Sequence, residues 1–249
     1  MNQEPAVSSR TAPSGDALTR AQALLREALD QYPAGTIALS FSGAEDVVLL
    51  DLIASIGYQV DVFSLDTGRL HPETYEFIER VRKHYDCKIE LLMPKADDVQ
   101  RMVRQKGLFS FYQEGHGECC EVRKIAPLRS KLSTLDAWIT GQRRDQSVTR
   151  SAVPERQRDL GFSTNDHSIE KFNPLADWSS AEVWAYIRAF DVPYNALHDK
   201  GFVSIGCQPC TRTVGPHEHE RGGRWWWEEA TQKECGLHGA NLITSKSVA

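Results

Sequence analysis

Hydrophobic positions along the chain follow two alternating periods. Residues 16–31 place Leu18, Leu25 and Leu29 on one helical face with Ala21 and Ala28 beside them, which predicts a helix. "TIALSF" (36–41) is a short β-type run, followed by "SGAED" and a helical pattern from Val47 to Ile56 that stops at Gly57. Strand-like runs recur at "YQVDVFSL" (58–65), "KIELLM" (88–93), "DAWITG" (136–141) and within "SIEKFNPL" (168–175), with 72–85 reading as helix. After Leu175, Ser179 or Ser180 is placed to cap a helix that would bury Val183, Trp184, Ile187 and Phe190. Strands alternating with helices predict an α/β fold: a doubly wound, mostly parallel sheet with helices on both faces. The expected organisation is a disordered lead-in over 1–15, one α/β domain over 16–215, and a mobile polar tail over 216–249.

The polar residues between these elements form three groups. At the end of the first strand, Ser40, Ser42 and Gly43 lead into a helix that opens with Glu45 and Asp46. Backbone N–H groups and a helix N-terminus aimed at one point suit an anion, although the same residues also suit an ordinary strand–helix turn. No Gly-Lys-Ser/Thr follows, so the loop is not a Walker A motif. The second group is "GQRRDQSVTRSAVPERQR" (141–158), five arginines against two acids after a predicted strand. Arg143, Arg144 and Arg150 suit bidentate contacts to phosphate or sulfate oxygens, whereas Arg156 and Arg158 read as solvated surface positions. Leu65, Asp66, Thr67 and Gly68 end another strand on the same expected edge, where ribose and base groups could be met.

The third group is the cysteines. Cys119–Cys120 and Cys207-x-x-Cys210 make two pairs, which suit zinc or an iron–sulfur cluster about equally by spacing. Adjacent cysteines rarely bond to each other, because the ring is strained. Cys87 reads as a core thiol, His116 as structural or solvated, and Trp225 to Trp227 as packing rather than a partner surface. Cys235 stands alone in "QKECGLHG".

Composition narrows the possibilities. With 41% hydrophobic and 25% charged residues, the 249-residue chain is ordinary for a globular protein. A net charge of −5 argues against a general nucleic-acid binder, so any anion site must be built from a few placed cations. Apolar runs are too short to span a membrane, and the first residues lack the pattern of a secretory signal. A cytoplasmic, reducing compartment is expected, where thiols bind metal or do chemistry more often than they form disulfides.

The loop "SFSGAED" is similar to the pyrophosphate-loop signature Ser-Gly-Gly-x-Asp-Ser of the adenine-nucleotide α-hydrolase-like superfamily, with Ala44 and Val47 where the second Gly and the final Ser stand. Together with "LDTG", "GQRRDQS" and "KECGLH" it resembles the assimilatory adenosine 5′-phosphosulfate (APS) reductases of the phosphoadenylyl-sulfate reductase family, over nearly the whole chain. The resemblance implies that Cys119, Cys120, Cys207 and Cys210 ligate one 4Fe–4S cluster, since the cysteine pairs mark the APS-using branch. It implies that Cys235 is the nucleophile, forming an S-sulfocysteine that reduced thioredoxin cleaves to release sulfite. Lys124 would link cluster and substrate, Arg221 and Arg224 would clamp an anionic group, and His238 lies three residues from the nucleophile. APS would be bound by Ser40, Ser42, Gly43, Glu45, Asp46, Leu65, Asp66, Thr67, Gly68, Arg143, Arg144 and Gln146. Rival readings are a reductase preferring the 3′-phosphorylated nucleotide (PAPS) or using both, a pyrophosphate-loop enzyme modifying tRNA, and a regulatory nucleotide-binding module with structural zinc. A homo-oligomer is compatible with all of them.

Overall fold

Buried β-branched and aromatic runs separated by amphipathic helices leave one economical arrangement, a sheet covered on both sides. The computed structural model describes residues 15–215 and 217–229. It contains β1 (Ile37–Ser40), β2 (Asp61–Leu65), β3 (Ile89–Leu92), β4 (Ala137–Ile139), β5 (Arg156–Arg158) and β6 (Glu170–Phe172) in one sheet, in the order β3-β2-β1-β4-β6-β5. Every pairing is parallel except that of β5 with β6. All five expected strands are present. The sixth, β5, falls on Arg156 and Arg158, which we read as surface loop. They are on the surface, and Arg156 pairs there with Glu27 and Glu170. "RQR" carries no apolar alternation, so nothing in its pattern marks an edge strand.

Helices α1 (Gly15–Gln31), α2 (Ala44–Ser55), α3 (Pro72–His84), α4 (Ala96–Lys106) and α8 (Ser180–Ala189) surround the sheet with the short segments α5 (Phe111–Glu114), α6 (Gly117–Cys120) and α7 (Ala126–Leu132). α2 is buried at eight positions from Ala44 to Ile53, so it is a core helix rather than an amphipathic one. α1 buries Ala17, Ala21, Leu25 and Ala28, and Leu18 and Leu29 pack at the edge of that face. Small residues let this helix lie close to its neighbours. Ser179 caps α8: its hydroxyl accepts from the Glu182 N–H, and the Glu182 carboxylate accepts from the Ser179 N–H and hydroxyl. α8 buries Val183, Ala185, Tyr186 and Ile187. Trp184 is only half-buried, and Phe190, expected inside, is 56% exposed, because α8 ends one residue before it.

The sheet's order places the functional loops. β1 leads to β2 on one side, whereas β4 lies on its other side, so the connections after β1 and β4 diverge. Such a divergence opens a crevice at the carboxyl ends of the strands. Leu39 lies at the centre of β1 and is fully buried. Leu39→Ala should cost about 2–5 kcal/mol by leaving a cavity, and Phe190→Ser under about 1 kcal/mol, as for other exposed positions. Urea unfolding of the two variants checks this assignment of the core.

Candidate active site

The crevice is lined by the loop after β1 (Ser40–Asp46), by Leu65 and Thr67 after β2, and by Thr140, Gly141, Gln142, Gln146 and Arg150 after β4. Its far wall is Lys124, Val203–Cys207, Glu220, Arg221, Arg224 and Trp225. Of the residues expected to contact a nucleotide, Ser40, Ser42, Gly43, Glu45, Asp46, Leu65, Thr67 and Gln146 line it. Asp66 and Gly68 stand behind that lining: Asp66 Oδ1 accepts from the Gly68 N–H and the Tyr75 hydroxyl, which folds the turn after β2.

Asp46 holds the two diverging loops together. Its Oδ2 accepts from the Ser42 N–H (2.8 Å), the Ser42 hydroxyl (2.9 Å) and the Gly43 N–H (3.0 Å). Its Oδ1 accepts from the Gly141 N–H across the gap at 3.0 Å. Two amides expected to cradle an anion are therefore already occupied by an internal carboxylate. Gly141 permits this approach, since a Cβ there would collide with Glu45 and Asp46. Burial and the neighbouring Glu45 push the Asp46 carboxyl up to about 6, against the hydrogen bonds that favour its charge.

Beside it lies a buried ionic group. Arg143 is 1% exposed and donates to Glu45 Oε1 at 2.8 Å and to Glu220 Oε1 and Oε2 at 3.0 Å. Burial opposes the charge on Glu45, but Arg143 and Gln146 outweigh it and hold the carboxyl below its usual range. Burial wins at Glu220, whose carboxyl lies above its usual range despite Arg143. Arg144 pairs with Asp177 and donates to the Val153 carbonyl at 2.7 Å. Neither Arg143 nor Arg144 lines the crevice, and both are held by protein carboxylates. Arg150, on the same arginine-rich segment, does line it, as do Glu220 and Gln142, which the sequence reading did not single out.

The cysteine pairs converge. Cys119, Cys120, Cys207 and Cys210 line one small cavity with Arg69, Phe111, His116, Arg123 and Lys124. Cys119 and Cys120 end α6, and the following π-helical turn, Glu121–Ile125, buries Arg123, Lys124 and Ile125 together. Extra residues of this kind in a helix recur at functional sites. Lys124 and Cys207 line both the cysteine cavity and the crevice, so the two spaces share a wall. A hydrogen bond from Cys210 together with Lys124, the Thr67 hydroxyl (3.2 Å) and Arg224 favours a thiolate at Cys207, well below the usual thiol range despite burial. Burial pushes the Cys119 thiol up against the pull of Arg69 and Arg123.

The donor set fits a polynuclear cluster. Four thiols face one space, and Arg69 Nη1 and Arg123 Nε beside it are buried donors with no protein acceptor. Among the described residues no group of three or more Cys, His, Asp or Glu is arranged to hold a metal ion; a set of thiols is the donor chemistry that zinc or an iron–sulfur cluster takes.

At the crevice, Gln142 Nε2, Arg224 Nε and Trp225 Nε1 are likewise buried donors without a protein acceptor, which suits a ligand rich in oxygen. Arg224 lies flat on Gly206, where any Cβ would strike its guanidinium, and donates to the Ile205 carbonyl at 3.2 Å. Trp225 is fully buried, Trp227 half-buried and Trp226 48% exposed, so packing accounts for most of this run. Cys87 packs at the edge of the main core. Cys235 and His238 lie outside the described residues.

Residues 36–213 match the phosphoadenosine phosphosulfate reductase domain. The chain belongs to that family. It is 56% identical over 224 residues to the adenosine 5′-phosphosulfate reductase of Pseudomonas aeruginosa (strain LESB58), covering 90% of this chain and 84% of that one. It is 53% identical to 5′-adenylylsulfate reductase 1, chloroplastic, of Arabidopsis thaliana over 88% of this chain, and spans 48% of that longer protein. Among solved structures, the phosphoadenylyl-sulfate reductase of Candida auris, in a phosphate complex, superposes with a TM-score of 0.63 at 26% identity, over 82% of this chain and 99% of that one. The mostly parallel sheet and its crevice are thus those of a phosphoadenosine phosphosulfate reductase domain. No helix among the described residues is long and apolar enough to cross a membrane.

The Asp46 stitch makes a pH prediction. Its folded-state carboxyl, raised to about 6, binds its proton more tightly than the unfolded carboxyl near 3.9. Its contribution to stability therefore falls as pH rises from about 4 to about 6, and levels off above. The stability difference, wild type minus Asp46→Asn, should fall over that window when measured by urea unfolding at several pH values. A flat difference would show an ordinary surface-like carboxylate.

Proposed function

We propose that this chain reduces adenosine 5′-phosphosulfate to sulfite and AMP, as an oxidoreductase acting on a sulfur group in sulfate assimilation. The observation that carries the reading is the shared wall: the crevice at the strand ends and a four-thiol cavity meet at Lys124 and Cys207. Charge orients the substrate. Lys124, which lines both spaces, stands with Arg221 and Arg224 among the residues that line the crevice, and Glu45, Asp46 and Arg150 line it from the loops after β1 and β4. A phosphosulfate is drawn to Lys124, Arg221 and Arg224, which leaves the nucleoside toward β1 and β4.

In the proposed reaction the Cys235 thiolate attacks the substrate sulfur. An S–S bond forms, the S–O bond to phosphate breaks, and AMP leaves with the electron pair. Arg221 and Arg224 offset the charge gathered between thiolate and sulfate, and Lys124 balances it from the cavity side. His238, three residues from the nucleophile, is placed in sequence to assist. A thiolate of reduced thioredoxin then attacks Cys235 Sγ, sulfite leaves with the electron pair of the S–S bond, and the second thioredoxin thiol resolves the mixed disulfide. The dithiol supplies both electrons. Cys119, Cys120, Cys207 and Cys210 would hold a 4Fe–4S cluster, which when bound orders the segments that carry them and tunes the field at the sulfate. These two steps need no membrane or nucleic acid and suit a cytoplasmic chain.

Cys235→Ser should abolish sulfite release while preserving AMP binding, because a serine hydroxyl stays un-ionised near neutral pH and forms no cleavable S–S bond. Incubating the wild-type chain with APS alone should add one sulfonate to a peptide containing Cys235 by mass spectrometry. An adduct elsewhere, or turnover by the variant, refutes the assignment. Protein purified without oxygen should be brown and carry about four irons per chain; a colourless, fully active zinc protein excludes the cluster. Comparing sulfite release from APS and PAPS decides the substrate. Arg156→Ala, which loses only exposed pairs on the edge strand, should change activity and stability little, by at most about 1 kcal/mol.

A further inference from the structure

Arg69 lines the cysteine cavity but not the crevice, so it stands off the wall that the two spaces share. Its backbone is joined to one cysteine pair: the Gln208 N–H donates to the Arg69 carbonyl at 2.8 Å, and Leu70 forms a β-bridge with Cys207. Its side chain reaches the turn at 108–110 that leads into α5. Nη2 donates to the Leu108 carbonyl at 2.5 Å, and the guanidinium lies over the rings of Phe109 and Phe111, 5.7 and 5.2 Å from their centroids. Phe111 is buried in the cavity wall, whereas Leu108 and Phe109 are 55% and 57% exposed. α5 itself has a separate tie, since the Tyr112 hydroxyl donates to the Pro209 carbonyl at 2.7 Å. What Arg69 holds is therefore the exposed turn. Its remaining terminal nitrogen, Nη1, is buried and has no acceptor among the described residues. Arg123 shares the predicament: Nη1 donates to the Thr67 carbonyl at 2.6 Å, but its Nε is a buried donor left over. Two guanidiniums thus line one small cavity of four thiols, and neither forms an ion pair with a carboxylate among the described residues. Buried cations call for an anion and buried N–H groups for an acceptor, and neutral thiols are poor at both.

We propose that Arg69 is a positioning residue for the metal group: its free Nη1–H donates to the anionic sulfur of an iron–sulfur cluster, while the rest of the same guanidinium fastens the turn at 108–110 over the cavity. This rests on the reading of Cys119, Cys120, Cys207 and Cys210 as cluster ligands. The two contacts are linked through one rigid, planar group. With the cavity filled, the charge of Arg69 is met on one edge and the opposite edge donates to Leu108. With the cavity empty, Arg69 and Arg123 are like charges in a buried space without a counter-charge, and the half-exposed Arg69 is the one that can turn out to solvent, which releases Leu108 and Phe109. Occupancy of the cavity therefore fastens the turn, and the fastened turn shields what the cavity holds. A lysine at this position offers the charge from a single nitrogen and cannot bridge Leu108 and the cavity as the planar fork does.

The test compares wild type, Arg69→Met, Arg69→Lys and Phe109→Ser in the full chain purified without oxygen. Iron and acid-labile sulfide are counted, and the rate of iron release to excess chelator is measured. Resonance Raman reads the Fe–S stretching frequencies. Hydrogen exchange is followed in peptides covering 107–114, where the Tyr112 and Gln113 N–H groups donate back to the Phe109 and Ser110 carbonyls. Arg69→Met should release iron about tenfold faster or more, the factor that one charge-assisted hydrogen bond represents, with shifted Fe–S stretches and raised exchange over 107–114. Arg69→Lys should fall between in iron release and still raise exchange, which also covers the case in which the methionine variant fails to fold or to take up iron. Phe109→Ser loosens the turn but leaves Nη1 in place, so it should raise exchange and iron release without moving the Fe–S stretches. Wild-type rates and stretches in both Arg69 variants overturn the proposal. So does equal exchange over 107–114 in loaded and cluster-free wild type, which separates the turn from the cavity. Wild-type protein that carries zinc and no sulfide defeats the cluster reading itself, and the role of Arg69 falls with it.

Discussion

The architecture depends on the carboxylate of Asp46 spanning the point where β1 and β4 part. Parallel strands that send their connections in opposite directions leave backbone amides facing an open gap, and unpaired buried amides are costly. Asp46 satisfies two of them on one side and one on the other. A pyrophosphate-binding loop leaves such amides for its ligand. Here an internal anion takes part of that role, so the loop is built before any nucleotide arrives and what it offers is shape. Positive charge facing a ligand then comes from Arg150 after β4 and from Lys124, Arg221 and Arg224, which line the same crevice.

The same economy governs the buried ions. Arg143 between Glu45 and Glu220 is surrounded by more negative than positive charge, and desolvating such a group gains little stability over a well-packed apolar one. What it supplies is geometry. Glu45 belongs to the helix after β1, Arg143 to the loop after β4 and Glu220 to the segment leading to Cys235, so one guanidinium ties together the three parts of the chain that meet at the crevice.

Much of this was legible in the sequence, and the rest was not for identifiable reasons. Strands β1, β2 and β4 announced themselves as short, mostly buried apolar runs, while β3, at the sheet edge with Glu90 and Leu91 exposed, and β6, Glu-Lys-Phe, were legible only as parts of longer β-type runs. The edge strand at Arg156–Arg158 has no such face. The convergence of the cysteine pairs followed from their number and spacing, since two separated pairs have few other uses. The arginine-rich segment misled in its detail: sequence counts cations but does not show which are already neutralised. Arg143 meets Glu220 from 77 residues away, whereas Arg150, four residues beyond Gln146 and donating to its side-chain oxygen, lines the crevice. Lys124 could be placed one turn beyond Cys120, but the π-turn that buries Arg123 and Lys124 together has no signature in residue type.

A last consequence concerns why the nucleophile is separate from the other thiols. All five cysteines among the described residues are at least half-buried. Burial favours the neutral thiol, as at Cys87 and Cys119, unless cations are drawn in to compensate, as Lys124 and Arg224 do for Cys207. A thiol held that way is ionised but enclosed, good for binding a metal and unable to meet a second protein. The proposed reaction needs the opposite combination: ionisation at the moment of attack, then exposure. Assigning the attack to Cys235, which belongs to neither cysteine pair, divides the two needs: in the proposed reaction the positive field comes from Arg221 and Arg224, which line the crevice, and the enclosed thiols are left for the metal.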